Sequence, residues 1–413
     1  MNELLFDTSV LRRGLAAGLA CLALGMSGSA EAQAASQPTN EPIRVGLILP
    51  LTGGSSDMGN SARIGAQIAV DEVNEVGGYL GRRFELVIRD DKANPDAGLA
   101  AANELVLKER VMATLGFCNT GVAAKALDVF QKNQHVLIIP CATGTALTAR
   151  YAARDSYIFR TSARDSLQTE FLVAELEKRG LRKPALIIDK SGYGDAGLID
   201  LEAAFANHKL KPVIVIRFAV GAKTLVEEVK QAKAAGADSL IGWTVGPESG
   251  VLAGSRAEVG WAVPHFGPWG LSHRSAFESS DGAVEGTMSV QTVLPNVFLE
   301  RNNAFRLKYR KLSDEKLIGS MMAAAQTYDA MHLLLRAMFE AKADQSGKSL
   351  KRALENLPRR YAGVVTSYDK PFSETDHDAI SLNMLWLGTW RKGNRDYFYA
   401  DDAKRASVIR VKE

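Results

Sequence analysis

The side chains able to do covalent or metal chemistry are scattered along this chain rather than grouped. Its six histidines are His135, His208, His265, His273, His332 and His377. No two of them fall at the i, i+4 spacing of an H-E-x-x-H zinc helix, and the three cysteines form no C-x-x-C pair. There is no G-x-S-x-G turn to strain a serine into a nucleophile and no G-x-x-x-x-G-K-[ST] loop to wrap a phosphate. Gly192-Tyr193-Gly194 follows a strand-like run, but without a third glycine or a later acidic partner it is a weak dinucleotide signal. The residues therefore predict no enzyme, no metal and no cofactor.

The elements that would position a site are legible. At 413 residues the chain is too long for one ordinary core, and 46% hydrophobic with 23% charged residues predicts folded domains. Arg12 and Arg13 precede an apolar run from Leu15 to Met26, and small residues lead on to Ala32-Gln33-Ala34. That order of charge, apolar run and small residues predicts a cleaved export signal over residues 1–34 and a periplasmic product. Cys21 lies inside the apolar run, a poor position for a lipid anchor. Loss of residues 1–34 would move the formal net charge from +3 to +4, too little to imply nucleic acid as a partner.

From Ile43 onward, short apolar runs alternate with amphipathic stretches. Strands are predicted at Ile43–Leu49, Arg83–Arg89, Val111–Leu115 and Val136–Ile139, with helices at Asn94–Lys108 and Thr120–Lys132 between them. After a connector at Arg160–Ser162 come a helix at Ser166–Lys178, strands at Ala185–Asp189, Val213–Phe218 and Ser239–Trp243, and helices at Gly197–Asn207 and Thr224–Ala234. The reading is α/β, with two doubly wound, Rossmann-like lobes of parallel sheet. The last third breaks the rhythm with helices at Ala304–Lys311 and Met321–Ala341 and a strand at Ser381–Trp390. In open α/β sheets ligands gather at the carboxyl ends of strands, so the residues after each strand are the ones to inspect. Cys118 and Cys141 each lie just past such a run, and the sequence leaves open whether they are bridged or are two buried thiols, the commoner arrangement.

Over residues 42–400 the chain resembles the periplasmic leucine/isoleucine/valine-binding proteins, the type I solute-binding proteins of ABC importers. The resemblance rests on Ile43 to Gly54, Asp71 to Gly78, Asp90-Asp91, Gly116 to Thr120, Pro140 to Thr148, Asp189 to Gly194 and Gly267-Pro268. It implies two lobes joined by three crossovers: residues 42–161 and 292–376 in the first lobe, 162–291 and 377–413 in the second. It also implies a monomer that hands its solute to permease subunits. Carried over by position, Thr120 and Thr143 are expected to hold a ligand carboxylate, Ala142 to offer a backbone contact, Tyr193 to reach in from the second lobe and Met58 to form an apolar wall. Thr120 would open a helix whose N-terminal amides favour an anion.

Two departures bear on specificity. Where the family holds an α-ammonium with glutamate, this chain has Trp269, and Val245 aligns with a family tyrosine. Enclosing an ammonium with no anionic partner costs about 3 to 5 kcal/mol, so ordinary amino acids are expected to bind poorly. An aromatic or aliphatic acid without an ammonium suits Trp269 better; Asp195 and Glu248 are the nearby acids able to rescue an amino acid. A cytoplasmic or periplasmic ligand sensor is the alternative use of the same fold.

Overall fold

The computed structural model describes residues 41–313 and 318–413. The predicted export signal and Cys21 lie outside them.

Apolar runs buried on both faces form the strands, and they assemble into two main sheets. The first is entirely parallel, in the order β2-β1-β3-β4-β5. Its strands are β1 (Ile43–Leu49), β2 (Phe84–Asp90), β3 (Thr114–Gly116), β4 (Leu137–Ile139) and β5 (Ile158–Arg160). Helices α1 (Ser56–Glu75), α2 (Pro95–Asn103), α3 (Thr120–Lys132) and the short α4 (Ala146–Ala149) connect them. Asn94 caps α2 by accepting from the Asp96 and Ala97 amides at 2.9 and 3.1 Å, and Pro95 takes the first turn, where it has no N–H to lose.

The second sheet is built from β6 (Pro184–Asp189), β7 (Ile214–Phe218), β8 (Ser239–Trp243), β9 (His265–Gly267) and β10 (Met288–Gln291). These five run parallel in the order β10-β9-β8-β6-β7. Around them lie α5 (Asp165–Lys178), α6 (Gly192–Asn207), α7 (Val226–Ala234), α8 (Glu248–Glu258) and α9 (Arg274–Glu278).

The chain then returns to the first sheet. After α10 (Glu300–Leu312), helix α11 (Met321–Ala341) packs along α1, and α12 (Gly347–Glu355) packs on α11. A Cβ added at Gly65 of α1 would meet the Ala324 carbonyl at 2.1 Å, so only glycine permits that approach of α1 to α11. A hairpin of β11 (Tyr361–Ala362) and β12 (Ser367–Tyr368) follows. Finally β13 (Trp386–Arg391) adds antiparallel to β10 and β14 (Asn394–Tyr397) antiparallel to β13, forming the edge of the second sheet before α13 (Asp402–Arg405).

Several boundaries differ from the sequence reading, each for a local reason. The helix predicted over Asn94–Lys108 is α-helical only to Asn103 and continues as one wider π turn over Glu104–Lys108. The helix predicted from Gly197 begins at Gly192, because the Ser191 hydroxyl caps the Tyr193 and Gly194 amides at 3.1 and 3.2 Å. The predicted connector at Arg160 is the last residue of β5, an edge strand of only three residues. Ser381–Trp390 is not one strand, since Leu382–Met384 forms a 3₁₀ turn ahead of β13. Strands β9 and β10, of three and four residues, were too short to be predicted, and α8 and α12 were passed over, although α12 buries one clear apolar face through Leu350, Ala353 and Leu354.

Among the described residues no helix is long and apolar enough to cross a membrane, and no group of three or more His, Cys, Asp or Glu side chains is placed to hold a metal ion.

Candidate functional site

The carboxyl ends of the two sheets face each other, and the loops and helix starts that follow the strands meet in a cleft. On the first-lobe side the chain after β3 and β4 is tied down at most of its polar groups, although the Asn119 side-chain oxygen is buried without a partner. Cys118 and Cys141 are paired as a disulfide, their Cα atoms 4.3 Å apart, which settles what the sequence left open against the commoner arrangement of two buried thiols. The bond joins the ends of two neighbouring strands. Ala142 donates its amide to the Phe117 carbonyl at 2.9 Å and accepts at its own carbonyl from the Ser162 hydroxyl at 2.8 Å. Both of its backbone groups are thus used within the protein, and its side chain lies in the apolar core. The Thr120 hydroxyl accepts from the Gly144 amide at 3.2 Å, and the Arg160 guanidinium donates to the carbonyls of Thr143 and Gly144 at 3.0 and 2.7 Å. Arg160 itself is fully buried against Asp378, 2.5 Å away. That ion pair and the Arg160 bond to the Thr148 hydroxyl at 2.7 Å hold the whole turn.

The second-lobe side is less fully satisfied. Tyr193 lies in the first turn of α6, 5% exposed, stacked on Trp243 at 5.7 Å between ring centroids, and its hydroxyl has no hydrogen-bond partner. Burial, with the Asp165 carboxyl nearby, pushes the Tyr193 phenol well above its usual value. The Trp243 indole N–H and both ring nitrogens of His273 are also buried without partners, and burial lowers His273 to about 4. Trp269 sits in a 3₁₀ turn after β9, its backbone N–H on the Gln168 side-chain oxygen at 3.2 Å and its ring edge-on to His273 at 4.9 Å. Asp165, at the start of α5, is fully buried with one carboxyl oxygen unpartnered, and burial pushes it up to about 8.

Two cavities open along this interface. The larger, about 340 Å³, is lined from the first lobe by Ser55, Asn119 and Thr120 and from the second by Tyr193, Val245 and Glu248. The starts of α3 and α6 abut here: a Cβ on Gly192 would lie 3.4 Å from the Gly121 Cα. Both helix N-termini border the space; α6 is capped by Ser191, whereas α3 has no side-chain cap, and the positive end of its dipole favours an anion there. The smaller cavity, about 10 Å³, lies between Thr143, Trp269, Val290, Thr292, Met322 and Gln326. Thr120, Tyr193 and Val245 therefore share one space, while Thr143 and Trp269 share the other. Met58, 1% exposed in the first turn of α1, lines neither.

Of the two nearby acids, Asp195 is paired with Arg217 at 2.6 Å and lines neither cavity. Glu248 lines the larger one, with one carboxyl oxygen held by the Gly221 amide at 2.6 Å. Sequence reasoning passed over Asp165, Gln168, Thr292 and Gln326. Only Gln326 left a trace, as a lone amide within the otherwise apolar start of α11.

A family model for the periplasmic binding proteins matches residues 42–394, most of the chain. The chain belongs to that family. Its relatives place it in the Leu/Ile/Val-binding branch: it is 32% identical over 248 residues to the Leu/Ile/Val-binding protein homolog 3 of Brucella melitensis, covering 60% of this chain and 66% of that one. Among solved structures, the branched-chain amino acid transporter substrate binding protein LivJ of Streptococcus pneumoniae, in complex with isoleucine, superposes with a TM-score of 0.75 at 23% identity, covering 86% of this chain and 98% of the other. A solute binding protein of an ABC transporter from R. palustris, in complex with benzoate, superposes with a TM-score of 0.74 at 20% identity, covering 86% and 95%. At such identities the superpositions establish the type I periplasmic binding protein fold. This periplasmic binding protein is of the branched-chain amino acid type, in a family of binding proteins rather than enzymes.

Proposed function

We propose that this protein is the periplasmic receptor of an ABC importer and traps a small carboxylate-bearing solute, an aromatic or aliphatic acid, between its lobes. In this reading it works as a monomer, closes by hinging where the chain crosses near 161–162, 291–292 and 376–377, and offers one lobe to each permease half. The ligand carboxylate docks at Thr120 and the amides opening α3, with Thr143 beside it. Tyr193 and Trp269 then close over the hydrocarbon body, and Val245 keeps the larger cavity open beside Tyr193. Ala142 makes no ligand contact in this scheme, and Met58 acts only by packing beneath the site. The two wall residues differ in what they give: Tyr193 a hydroxyl with no internal partner, Trp269 a flat apolar face.

Trp269 carries the reading. It occupies the wall where the resembled family has its ammonium-binding glutamate, and its backbone is fixed there by Gln168. The nearby Asp165 gives no substitute charge at neutral pH, because burial holds it protonated up to about pH 8. A benzoate-binding neighbour of the same fold supports an acid of this kind.

Glu248 favours a second reading, a hydrophobic amino acid, since it brings a carboxyl to the larger cavity. Titration calorimetry separates the two. Micromolar or tighter binding of benzoate-type or medium-chain acids, with leucine at least about a hundredfold weaker, is expected; submicromolar leucine binding overturns the acid reading. Cell fractionation tests the compartment, and an uncleaved cytoplasmic product would favour a ligand sensor.

A further inference from the structure

Four side chains join the two halves of the molecule while lining neither cavity: Asp57 and Thr145 beside the first sheet, Ser275 and Asp200 beside the second. In the first turn of α1, one Asp57 carboxyl oxygen accepts from the Ser275 hydroxyl at 2.6 Å and from the Ser275 amide at 3.3 Å, at the start of α9. Next to it the Arg274 amide donates to the Gly319 carbonyl, just ahead of α11, at 2.8 Å, and the buried Arg395 guanidinium donates to the same carbonyl at 3.1 Å. On the other flank Thr145, in the turn after β4, donates its hydroxyl to the Asp200 carboxyl of α6 at 2.8 Å. The same hydroxyl accepts from the Ser166 amide in the first turn of α5 at 2.9 Å. Between the flanks the backbones themselves meet: a Cβ on Gly246 would lie 2.8 Å from the Gly54 carbonyl oxygen.

Among the described residues, the Asp57 and Asp200 oxygens that accept these bonds take none from their own lobe. Bonds that exist only while the lobes touch stabilise the closed form alone, and hydrogen bonds to charged groups contribute more than neutral ones. Resting on the hinged-receptor reading above, we propose that the Asp57–Ser275 and Thr145–Asp200 pairs are a clasp that forms after the solute docks and sets how long it stays. The four side chains are positioning residues: they hold the lobes, and the lobes hold the solute. Part of the closing free energy is then the same for every ligand, so even a small solute with few contacts of its own is released slowly.

The test is stopped-flow binding and release on the mature chain, with benzoate and leucine as probes, in the double variant Ser275→Ala with Asp200→Ala. Release of the bound probe is expected to speed up at least about tenfold while association stays within about threefold, because the clasp follows docking. The ligand-free melting temperature should move by less than about 2 °C, since the open form lacks both bonds. Ser275→Thr with Asp200→Asn, which keeps a donor and an acceptor, should restore slow release. Release within about twofold of the unaltered protein overturns the clasp. So does a ligand-free melting temperature that falls in proportion to the lost affinity, which would make the pairs structural. A second measurement needs no solute: with Asp57→Cys and Ser275→Cys, small-angle scattering should give a smaller radius of gyration for the oxidised, cross-linked chain than for the reduced one. Equal radii would mean that the lobes do not part, and overturn the clasp. Should the double variant fail to fold, Ser275→Ala alone and the scattering pair decide. If neither benzoate nor leucine binds, the solute reading fails, and the scattering pair still decides the clasp.

Discussion

The two walls of the cleft solve opposite problems. On the first-lobe wall most loop groups near Thr120 and Thr143 are already engaged, the Asn119 side-chain oxygen excepted: a disulfide, the Ala142 backbone bonds and a buried Arg160–Asp378 pair fix the turn in advance. On the second-lobe side the hydroxyl of Tyr193 is buried with nothing to bond, as are, behind the wall, the indole N–H of Trp243 and the imidazole of His273, which line neither cavity. A fixed turn keeps its amides aimed at an anion at no ordering cost on binding, whereas unsatisfied groups raise the energy of a wall until a ligand meets them. In the proposed scheme the turn after β4 serves as the preformed docking face and Tyr193 as the residue that discriminates between ligands.

Breaking the first wall should cost most. Arg160→Met leaves Asp378 buried with only Arg164, a half-exposed side chain at 3.3 Å, as a cation, and is expected to lower unfolding free energy by about 3 to 5 kcal/mol, read from urea denaturation. A loss under about 1 kcal/mol would show that the turn does not depend on the pair. Removing the disulfide by Cys118→Ala with Cys141→Ala opens a loop spanning 23 residues and should cost about 3 kcal/mol in the same assay. A preformed turn predicts that ligand affinity falls in step with either change.

The second wall should respond the other way round. Tyr193→Phe deletes a hydroxyl that has no partner, so stability without ligand should shift by less than about 1 kcal/mol, while affinity for the bound acid drops about tenfold by calorimetry. If stability falls and affinity does not, Tyr193 is a packing residue. The smallest effect is a pH dependence at Asp165, faced by Thr143, Gln168, Asp200 and Arg160. Its carboxyl is raised from 3.8 to about 8 by burial. The folded state therefore holds a proton that the unfolded state has lost, and the resulting stability is complete below about pH 4 and disappears as pH rises through about 8. Denaturation midpoints at pH 5 and pH 8 should diverge less in Asp165→Asn than in the unaltered protein. Identical slopes would place the Asp165 carboxyl in contact with solvent.

How much of this was legible in sequence depends on what each signal required. The apolar runs of Ile43–Leu49 and Ser239–Trp243 and the amphipathic stretches of Thr120–Lys132 and Met321–Ala341 coincide with observed elements, because burial on both faces of a strand or one face of a helix writes a periodic pattern locally. Strands of three or four residues such as β9 and β10 are too short to write one. The candidate residues Thr120, Tyr193 and Val245 were found by their place after strands and by resemblance, but their sharing of one cavity, with Thr143 and Trp269 in another, was not legible.

The sequence by itself determined the α/β class, the order of most elements, the two-lobed scheme and the presence of tryptophan at position 269. Each follows from residue type and spacing along the chain. Only the tertiary structure decided that Cys118 bonds Cys141, that Arg160 lies fully buried on Asp378 more than 200 positions away in sequence, and that Gln326 ends with an unpaired oxygen beside Trp269. Those facts depend on which distant segments pack together, and burial, which sets the strength of a charge or the cost of an unpaired oxygen, exists only after they have.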